Sequence, residues 1–323
     1  TQDGGRPHAE RVALDAAGDL ARGATLYVTL EPCSHYGKTP PCAKAIVEAG
    51  VSRVVSAMED PDPRVAGRGH DILRRAGVEV VTDVCADEAL RATLGHILRV
   101  RENRPLVTLK LAETLDGYAA GDEHDPRLTI TSAAANARTH VFRAQHAAIM
   151  VGIGTALADD PLMTVRAPGL EDRKPLRVVL DAKLALPMRS RLATSARETP
   201  VLLLADALAD SPRAKALLEA GVEIAPVAVD VEGHIVLKDA LIALAQRGIT
   251  RVFSEGGPRI GAALIAQGLA DEVVIFTSPK PHGRGTPALS QEARAILADP
   301  ARYCLVEDTM LGPDRMRRYE RVL

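Results

Sequence analysis

The sequence contains little of what a protein needs to bind nucleic acid. Its 323 residues include no tryptophan, five tyrosines and three phenylalanines, and lysine and arginine form no block. The formal net charge is −2. Proteins that bind single-stranded nucleic acid combine a basic groove with aromatic rings on which the bases stack. Both are scarce in this chain, which favours a small-molecule ligand over RNA or DNA.

Signals for export and for membrane insertion are also missing from the sequence. The chain has neither a basic-then-apolar leader nor an apolar run long enough to span a bilayer. Its four cysteines are too few for a disulfide framework in a chain of this size. These features predict a cytoplasmic protein without a membrane partner. The length, with 46% hydrophobic and 25% charged residues, suits two globular domains.

Three potential metal ligands lie in short motifs near the beginning of the chain. His8 and Glu10 stand two positions apart, and Cys33 and Cys42 each follow a proline. One imidazole and two thiolates suit a tetrahedral Zn²⁺ whose fourth position stays open for water. Zinc deaminases carry a His-x-Glu followed by Pro-Cys-x-x-Cys, and their glutamate transfers protons without binding the metal. The motifs therefore predict zinc on His8, Cys33 and Cys42, with Glu10 as the catalytic group.

The spacing of the cysteines departs from that signature, because eight residues separate Cys33 from Cys42 instead of two. The apolar pattern around them alternates between the helix and strand periods. It predicts helices over 9–17 and 42–49 and strands over 24–30 and 51–58. Cys42 then lies in the first turn of a helix, where the dipole and the free N–H groups favour a thiolate.

A polar connector that ends in Pro105 follows a helical stretch at 87–100, which places a domain boundary near residue 102. The second domain alternates strand-like and helix-like segments, a pattern typical of an α/β fold with a mainly parallel sheet. The predicted strands are 106–112, 147–151, 176–180, 201–205, 252–254 and 272–277. The predicted helices are 133–144, 213–220, 239–247 and 260–267.

Two glycine-containing segments after predicted strands are candidates for binding a dinucleotide. Gly152 and Gly154 begin a Gly-x-Gly-x-x-Gly pattern, but Leu157 stands where the third glycine belongs. A Rossmann pocket is therefore not supported. The second segment, Glu-Gly-Gly-Pro at 255–258, lies between a strand and a helix, where backbone N–H groups bind phosphate. Such a sequence also occurs in plain turns.

Four segments together resemble one enzyme family. The run from Cys33 to Cys42, Cys-Ser-His-Tyr-Gly-Lys-Thr-Pro-Pro-Cys, resembles the deaminase domain of the bifunctional riboflavin-biosynthesis deaminase/reductase. The segments 110–117 (Lys-Leu-Ala-Glu-Thr-Leu-Asp-Gly), 157–161 (Leu-Ala-Asp-Asp-Pro) and 255–258 resemble its reductase domain. The match keeps the family's domain order across nearly the whole chain.

This resemblance implies an α/β protein with a cytidine-deaminase-like zinc domain over 1–102 and a dihydrofolate-reductase-like domain over 103–323. It implies Zn²⁺ and NADPH as cofactors and a homo-oligomer, a dimer or a tetramer. The implied reactions are two successive steps of riboflavin biosynthesis. The first is the deamination of 2,5-diamino-6-hydroxy-4-(5-phosphoribosylamino)pyrimidine. The second is the reduction of the ribosyl group of 5-amino-6-(5-phosphoribosylamino)uracil to ribityl.

The resemblance also implies site residues in both domains. The substrate contacts implied in the first domain are His35, Lys38 and Asp60. Those implied in the second domain are Arg143, Met163, Arg166 and Glu255. The implied NADPH contacts are Ala112, Thr155, Asp159, Gly257, Pro258, Arg259, Ile260 and Gly261. From the residues alone, two interpretations stay open for each of these groups. Arg143 and Arg166 are either guanidinium forks suited to a ribose phosphate or ordinary surface side chains. The segment between Cys33 and Cys42 is either an insert that binds substrate or a solvated loop.

Several points stay open at the level of sequence. Many relatives carry Ser-x-Trp just before Ile-Thr, whereas this chain has Arg127 and Thr129 there, so neither inherits a role. The chain opens on Thr1, although a zinc deaminase normally has a helix and two strands ahead of its His-x-Glu, so we expect a truncated start.

The alternative to a bifunctional enzyme is a reductase whose zinc domain is inactive because its amino-terminal segment is missing. A zinc-containing nucleic-acid module is a third, which charge and aromatic content disfavour.

Overall fold

The computed structural model describes residues 7–36, 40–62, 66–122, 125–126, 128–206 and 211–322. The chain divides into two compact units, Thr1–Glu102 and Asn103–Leu323. Each unit has a sheet and a hydrophobic core of its own. Among the helices that the structure describes, none has the length and apolar composition to cross a membrane.

A three-stranded parallel sheet with the strand order β1-β2-β3 forms the first unit. Its elements in chain order are α1 (Ala9–Ala17), a short 3₁₀ helix (Gly18–Ala21), β1 (Thr25–Val28), α2 (Cys42–Glu48), β2 (Arg53–Ser56), α3 (Arg68–Arg75), β3 (Glu79–Val81) and α4 (Ala86–Arg101). Leu14, Ile46, Val54 and Leu73 pack in one core, which joins α1, α2 and α3 to the sheet. This packing fixes the amino-terminal ends of α1 and α2, where two of the predicted ligands lie.

The predicted elements of this unit are confirmed, with shorter strands and two omissions. The helix over 9–17 matches α1, and the second helix begins at Cys42 as predicted. The strands are four residues each instead of seven or eight. The sequence did not indicate α3 or β3. Most of the residues of α3 are polar, and Leu73 is its one large apolar side chain in the core, so its periodicity is too weak to read.

A nine-stranded sheet with the order β13-β14-β11-β4-β10-β6-β7-β8-β9 forms the second unit. Its strands are β4 (Leu106–Glu113), β6 (Ala148–Gly152), β7 (Leu176–Leu180), β8 (Val201–Ala205), β9 (Glu223–Pro226), β10 (Arg251–Ser254), β11 (Glu272–Thr277), β13 (Tyr303–Leu311) and β14 (Asp314–Arg321). Two short strands, β5 (Tyr118–Ala120) and β12 (Thr286–Pro287), pair separately. Pairing is parallel from β11 to β9, and β14 is antiparallel to both β11 and β13.

Helices pack against this sheet over large apolar cores. They are α5 (Ala133–Ala144), α6 (Ile153–Asp159), α7 (Arg191–Thr194), α8 (Pro212–Glu219), α9 (Leu237–Gln246), α10 (Pro258–Ala266) and α11 (Gln291–Ala298). One core contains Leu241 of α9 and Leu264 of α10, and a second contains Leu192 of α7 and Leu217 of α8. The predicted helices and the mainly parallel sheet are confirmed. The hairpin of β13 and β14 was not predicted, because β13 is largely exposed and lacks a buried apolar run.

The arrangement of the strands brings distant sequence segments to one edge of the sheet. β4, β6 and β10 are neighbouring parallel strands, so their carboxyl ends lie at the same edge. Residue Ala112 near the end of β4, the start of α6 and the segment that begins at Glu255 all lie there. Ligands of open parallel sheets bind at this edge.

Candidate active sites

The three predicted metal ligands meet in the first unit. His8 Nδ1 lies 3.5 Å from Cys33 Sγ and 3.3 Å from Cys42 Sγ. All three ligand atoms lie within 4.8 Å of one another. In a tetrahedral site with Zn–S of about 2.3 Å and Zn–N of about 2.0 Å, nitrogen and sulfur ligands stand about 3.5 Å apart. The donor set and its spacing therefore fit Zn²⁺.

Local structure presents each ligand to this point. His8 is the N-cap residue of α1, and Cys42 is the first residue of α2. Cys33 follows the segment after β1, and its sulfur accepts a hydrogen bond of 3.3 Å from the Cys42 backbone N–H. Both sulfurs are buried. Two helix starts and one loop thus converge, as the proline-cysteine motifs predicted.

Of the two thiols, Cys33 is the more acidic and Cys42 the less acidic. A hydrogen bond from the Cys42 side chain, helped by the Cys42 backbone N–H and opposed by burial, lowers the pKa of Cys33 to about 5. The same hydrogen bond, followed by burial and the charge of Glu10, raises the pKa of Cys42. The effect of Glu10 on the Cys42 thiol places its carboxylate beside the ligand cluster. Metal binding must remove the remaining proton, because zinc takes thiolates.

A cavity of about 720 Å³ begins at the two residues that follow Cys33. Its lining consists of these two residues, Asp62 and one face of α3: Ser34, His35, Asp62, Arg68, Asp71, Ile72 and Arg75. Of the predicted substrate contacts, His35 lines this cavity. Asp60 is half-buried, and its carboxylate accepts a hydrogen bond of 2.9 Å from the Asp62 N–H. Lys38 lies outside the described residues.

The second site is built around a buried ion pair. Arg143 of α5 contacts Glu255, which follows β10, through Nε at 2.6 Å and Nη2 at 3.0 Å. The remaining nitrogen, Nη1, donates to the Thr164 carbonyl oxygen at 2.9 Å. All three nitrogens of Arg143 are therefore engaged. Arg143 holds Glu255 in place and does not present a free fork to a phosphate.

Arg143 and Lys110, which are cationic, and His140 influence the ionisation of Glu255. Burial opposes its ionisation, but the charge and hydrogen bonds of Arg143, with Lys110 and His140 adding to them, lower the pKa of Glu255. Burial lowers the pKa of Arg166, and the charge of Arg143 lowers it further. Such crowding of positive charge is what an anionic ligand would relieve. Arg166 is an exposed residue whose guanidinium is partly desolvated, and its Nη1 donates to Thr164 Oγ1 at 3.0 Å.

The segment 255–261 forms a close-packed turn into α10. A Cβ on Gly152 would lie 2.5 Å from Ile260 Cδ1, and one on Gly256 would lie 2.9 Å from Ile260 Cγ2. A Cβ on Gly257 would lie 3.4 Å from Thr155 Oγ1. These contacts bring the start of α6 against the start of α10. The free N–H groups of the first turn of α10 make this edge suitable for a phosphate of a dinucleotide.

The remaining predicted contacts of this unit differ in accessibility. Ala112 and Asp159 are half-buried, and Gly261 is buried against Leu109 and Leu111. The guanidinium of Arg259 is exposed and lies 3.0 Å from His234 Nε2. Met163 is 1% exposed and belongs to the core of α7 and α8, so a substrate could reach only its backbone, which has a φ of 51°.

Sequence reasoning missed several residues of both sites. Glu31 is a buried carboxylate beside the zinc ligands, and Lys110 and His140 contribute to the electrostatics of Glu255. The His140 ring accepts a hydrogen bond of 3.1 Å from the Arg166 backbone N–H. Lys110 and Glu31 stand inside motifs that the sequence did mark, at Lys-Leu-Ala and Leu-Glu-Pro-Cys, whereas nothing in the sequence singled out His140.

Comparison with known proteins defines the class of both units. The family model of the cytidine and deoxycytidylate deaminase zinc-binding region matches residues 2–58. The model of the RibD C-terminal domain matches residues 105–303. A zinc site of the deaminase type and a reductase domain thus lie in one chain. The expected α/β fold class, a cytidine-deaminase-like domain followed by a dihydrofolate-reductase-like domain, is confirmed.

Relatives that match most of the chain are riboflavin biosynthesis proteins. The riboflavin biosynthesis protein RibD of Aquifex aeolicus is 38% identical over 281 residues, 87% of this chain and 76% of the relative. The structure of RibD from Acinetobacter baumannii aligns with a TM-score of 0.82 at 33% identity and covers 99% of this chain and 87% of that one. A structure from Thermotoga maritima aligns with a TM-score of 0.80 at 33% identity and covers 98% of this chain and 86% of that one. That protein is a diaminohydroxyphosphoribosylaminopyrimidine deaminase/5-amino-6-(5-phosphoribosylamino)uracil reductase.

The chain belongs to the RibD family of riboflavin biosynthesis proteins. It is an enzyme that combines a zinc-dependent deaminase with an NADPH-dependent reductase, as the resemblance implied.

Proposed function

We propose that residues 1–102 deaminate 2,5-diamino-6-hydroxy-4-(5-phosphoribosylamino)pyrimidine and that residues 103–323 reduce the ribosyl group of the product to ribityl. The observation that carries the first step is the convergence of His8, Cys33 and Cys42 within 4.8 Å, beside Glu10. The second step rests on the Glu255–Arg143 pair at the edge of the sheet where Ala112 and the start of α10 lie.

In the first step, zinc on the three ligands supplies the Lewis acidity that makes water a nucleophile near neutral pH. Glu10 takes a proton from that water as its oxygen bonds to the amine-bearing carbon of the pyrimidine. The same carboxylate then delivers the proton to the amine, and ammonia leaves. A single group suits both transfers because it lies beside the ligand cluster, at the start of α1.

The cavity beside the ligands is our proposed place for the phosphoribosyl pyrimidine. His35 lines it, and we assign His35, Lys38 and Asp60 to substrate contacts. The cavity also exposes Arg68 and Arg75, whose charge suits the phosphate of this substrate.

In the second step, bound NADPH would supply the hydride that the anomeric carbon of the ribose takes up in its open, imine-like form, and a proton from solvent completes the amine nitrogen. Arg143 orients Glu255, which accepts hydrogen bonds from the substrate. Arg166 is the arginine whose guanidinium is accessible, so we assign the phosphate to it. Met163 shapes the pocket through its backbone and by supporting the loop that carries Thr164 and Arg166.

We assign the cofactor to the edge formed by α6 and α10. Its proposed contacts are Ala112, Thr155, Asp159, Gly257, Pro258, Arg259, Ile260 and Gly261. Ile260 packs closely on Gly152 and Gly256, where a Cβ would lie 2.5 and 2.9 Å from its side chain, so glycine lets the backbone at this edge pack tightly where we place the phosphates.

One assay tests both steps. The phosphoribosylated diaminopyrimidine is incubated with zinc-loaded protein, with and without NADPH, and the products are followed by mass. Without NADPH we expect the amino group of the pyrimidine to be replaced by a carbonyl oxygen, with release of ammonia, and with NADPH we expect the product to gain two further hydrogens. Reduction of a pre-deaminated substrate alone would support the alternative of a reductase with an inactive zinc domain.

We also propose that the protein works in the cytoplasm as a homo-oligomer. The four cysteines, all within the described part of the chain, are free thiols, as in proteins of a reducing compartment. Light scattering of the zinc-loaded chain distinguishes a dimer or tetramer from a monomer.

A further inference from the structure

The buried carboxylate of Glu31, close in sequence to a proposed zinc ligand, accepts hydrogen bonds from the backbone of a distant segment. The Glu31 side chain is 4% exposed and stands two positions before Cys33. Its Oε2 accepts hydrogen bonds from the N–H groups of Asp60 at 3.1 Å and Gly67 at 2.8 Å. Its Oε1 accepts from Gly69 at 2.6 Å and His70 at 3.3 Å.

These bonds hold the beginning of α3. Its N-cap residue, Gly67, has no side chain to satisfy the first-turn N–H groups, which otherwise lack partners. Glu31 supplies that partner from another segment of the chain. A carboxylate suits this place because both of its oxygens accept hydrogen bonds and its charge lies at the positive end of the helix dipole.

A second contact fixes α3 to the same segment. A Cβ on Gly69 would lie 1.9 Å from the Pro32 carbonyl oxygen and 3.0 Å from Glu31 Oε1. Glycine is therefore required for α3 to approach the residue immediately before Cys33. Pro32 and Glu31 together bring the helix against the segment that carries a zinc ligand.

One face of α3 forms a wall of the cavity beside that ligand. Arg68, Asp71, Ile72 and Arg75 are three, four and seven positions apart, a spacing that places them on one side of the helix, and all four line the cavity with His35. The position of this wall relative to Cys33 depends on the contacts of Glu31 and Gly69.

We propose that Glu31 is a positioning residue for deamination: it sets the distance between the substrate-facing side of α3 and the zinc ligands. The inference rests on the proposed deaminase function of this unit. Glu31 acts through α3 and the segment at Asp60, and it touches neither the metal nor the reacting carbon.

Glu31→Gln tests this role with almost no change in size. The amide replaces one acceptor oxygen by a donor that faces two N–H groups, so two of the four hydrogen bonds are lost. We expect kcat/KM for deamination to fall about 10–100-fold, mostly through KM, because the substrate is misplaced relative to the metal. Zinc content and reduction of a pre-deaminated substrate should stay at wild-type values.

Two further variants make the test specific. Glu79→Gln removes an exposed carboxylate from the same unit and should leave deamination unchanged. Gly69→Ala keeps the Glu31 carboxylate but pushes α3 away from both Pro32 and Glu31, and it should raise the same KM. Hydrogen exchange of the Gly67, Gly69 and His70 amides should become faster in Glu31→Gln and stay slow in Glu79→Gln.

The outcomes separate this inference from the function on which it rests. Faster amide exchange and a raised KM at full zinc content support it. Wild-type deamination kinetics in Glu31→Gln would overturn it while leaving the deaminase assignment intact. Loss of zinc in parallel with activity would also overturn it, because Glu31 would then act on the ligands. A wild-type chain that releases no ammonia would overturn the proposed function and this inference with it.

Discussion

Arg143 and Glu255 are 112 positions apart and form a two-fold hydrogen-bonded ion pair, with distances of 2.6 and 3.0 Å. The Arg143 side chain is 12% exposed and that of Glu255 14%, so the pair is shielded from most of the solvent. A planar guanidinium fixes the plane of the carboxylate as well as its position. The pair therefore gives the Glu255 carboxylate a defined orientation, and in the proposed site it meets the substrate while Arg166 binds the phosphate.

Arg143→Lys keeps the charge but removes the fork that orients Glu255. We expect kcat/KM of the reductase to fall about 10–100-fold, since charge-assisted hydrogen bonds of about 1.5–3 kcal/mol are lost. Deamination by the same preparation is the internal control. Steady-state NADPH oxidation on pre-deaminated substrate measures the effect. An unchanged rate would mean that the orientation of Glu255 does not matter.

Arg166→Ala removes the exposed guanidinium assigned to the phosphate. We expect KM for the phosphorylated substrate to rise about 10–100-fold, while KM for its dephosphorylated form stays the same. Arg173→Ala, at another exposed arginine of the same loop, is the matched control. Equal effects on both substrates would contradict a phosphate contact.

Glu10→Gln leaves the size of the side chain unchanged and removes the proton carrier. Deamination should slow by about 10²–10⁴-fold, the range that general acid–base groups contribute. The zinc content should equal that of the wild type, because the proposed ligands are His8, Cys33 and Cys42. Glu48→Gln, at an exposed position of α2, serves as control. Normal ammonia release by Glu10→Gln would contradict the assignment of Glu10 as the group that transfers the proton.

His146 gives the second unit a pH-dependent stability. Its Nδ1 lies 2.6 Å from the Phe142 carbonyl oxygen and its Nε2 lies 2.9 Å from Thr108 Oγ1. Burial lowers the pKa of His146 to about 4 from its usual 6.5. The unfolded chain therefore binds this proton more readily than the folded one, and the free energy of unfolding decreases as the pH falls from 6.5 to 4.

The full effect of His146 is at most about 3 kcal/mol, reached below the folded pKa. His146→Gln should flatten the difference between stabilities at pH 7 and pH 5, as measured by calorimetry of the full chain. His35→Gln, at an exposed histidine of the other unit, should leave that difference unchanged. If the free energy of unfolding changes with pH equally in wild type and His146→Gln, groups other than His146 cause the pH dependence.

Much of the fold followed from local patterns. Strands 176–180, 201–205 and 272–277 and helix 133–144 have the predicted bounds, because each is an apolar run or an amphipathic segment long enough to show its period. Short or mostly polar elements such as α3, β3 and the β13–β14 hairpin carry no such pattern. Their structure depends on contacts that they make with other segments.

The candidate zinc ligands could be predicted from the sequence by itself. Ligand chemistry depends on residue type, and His8, Cys33 and Cys42 stand in motifs that few other functions require. Only the tertiary structure decided which partner each charged side chain takes. Glu31 meets amides 29 to 39 positions away, and Arg143 meets Glu255 instead of a phosphate. The physical reason is that a buried charged side chain must pair with whichever polar group the packing places next to it. The packing brings together segments that are far apart in the sequence, and no local sequence pattern indicates which segments these are.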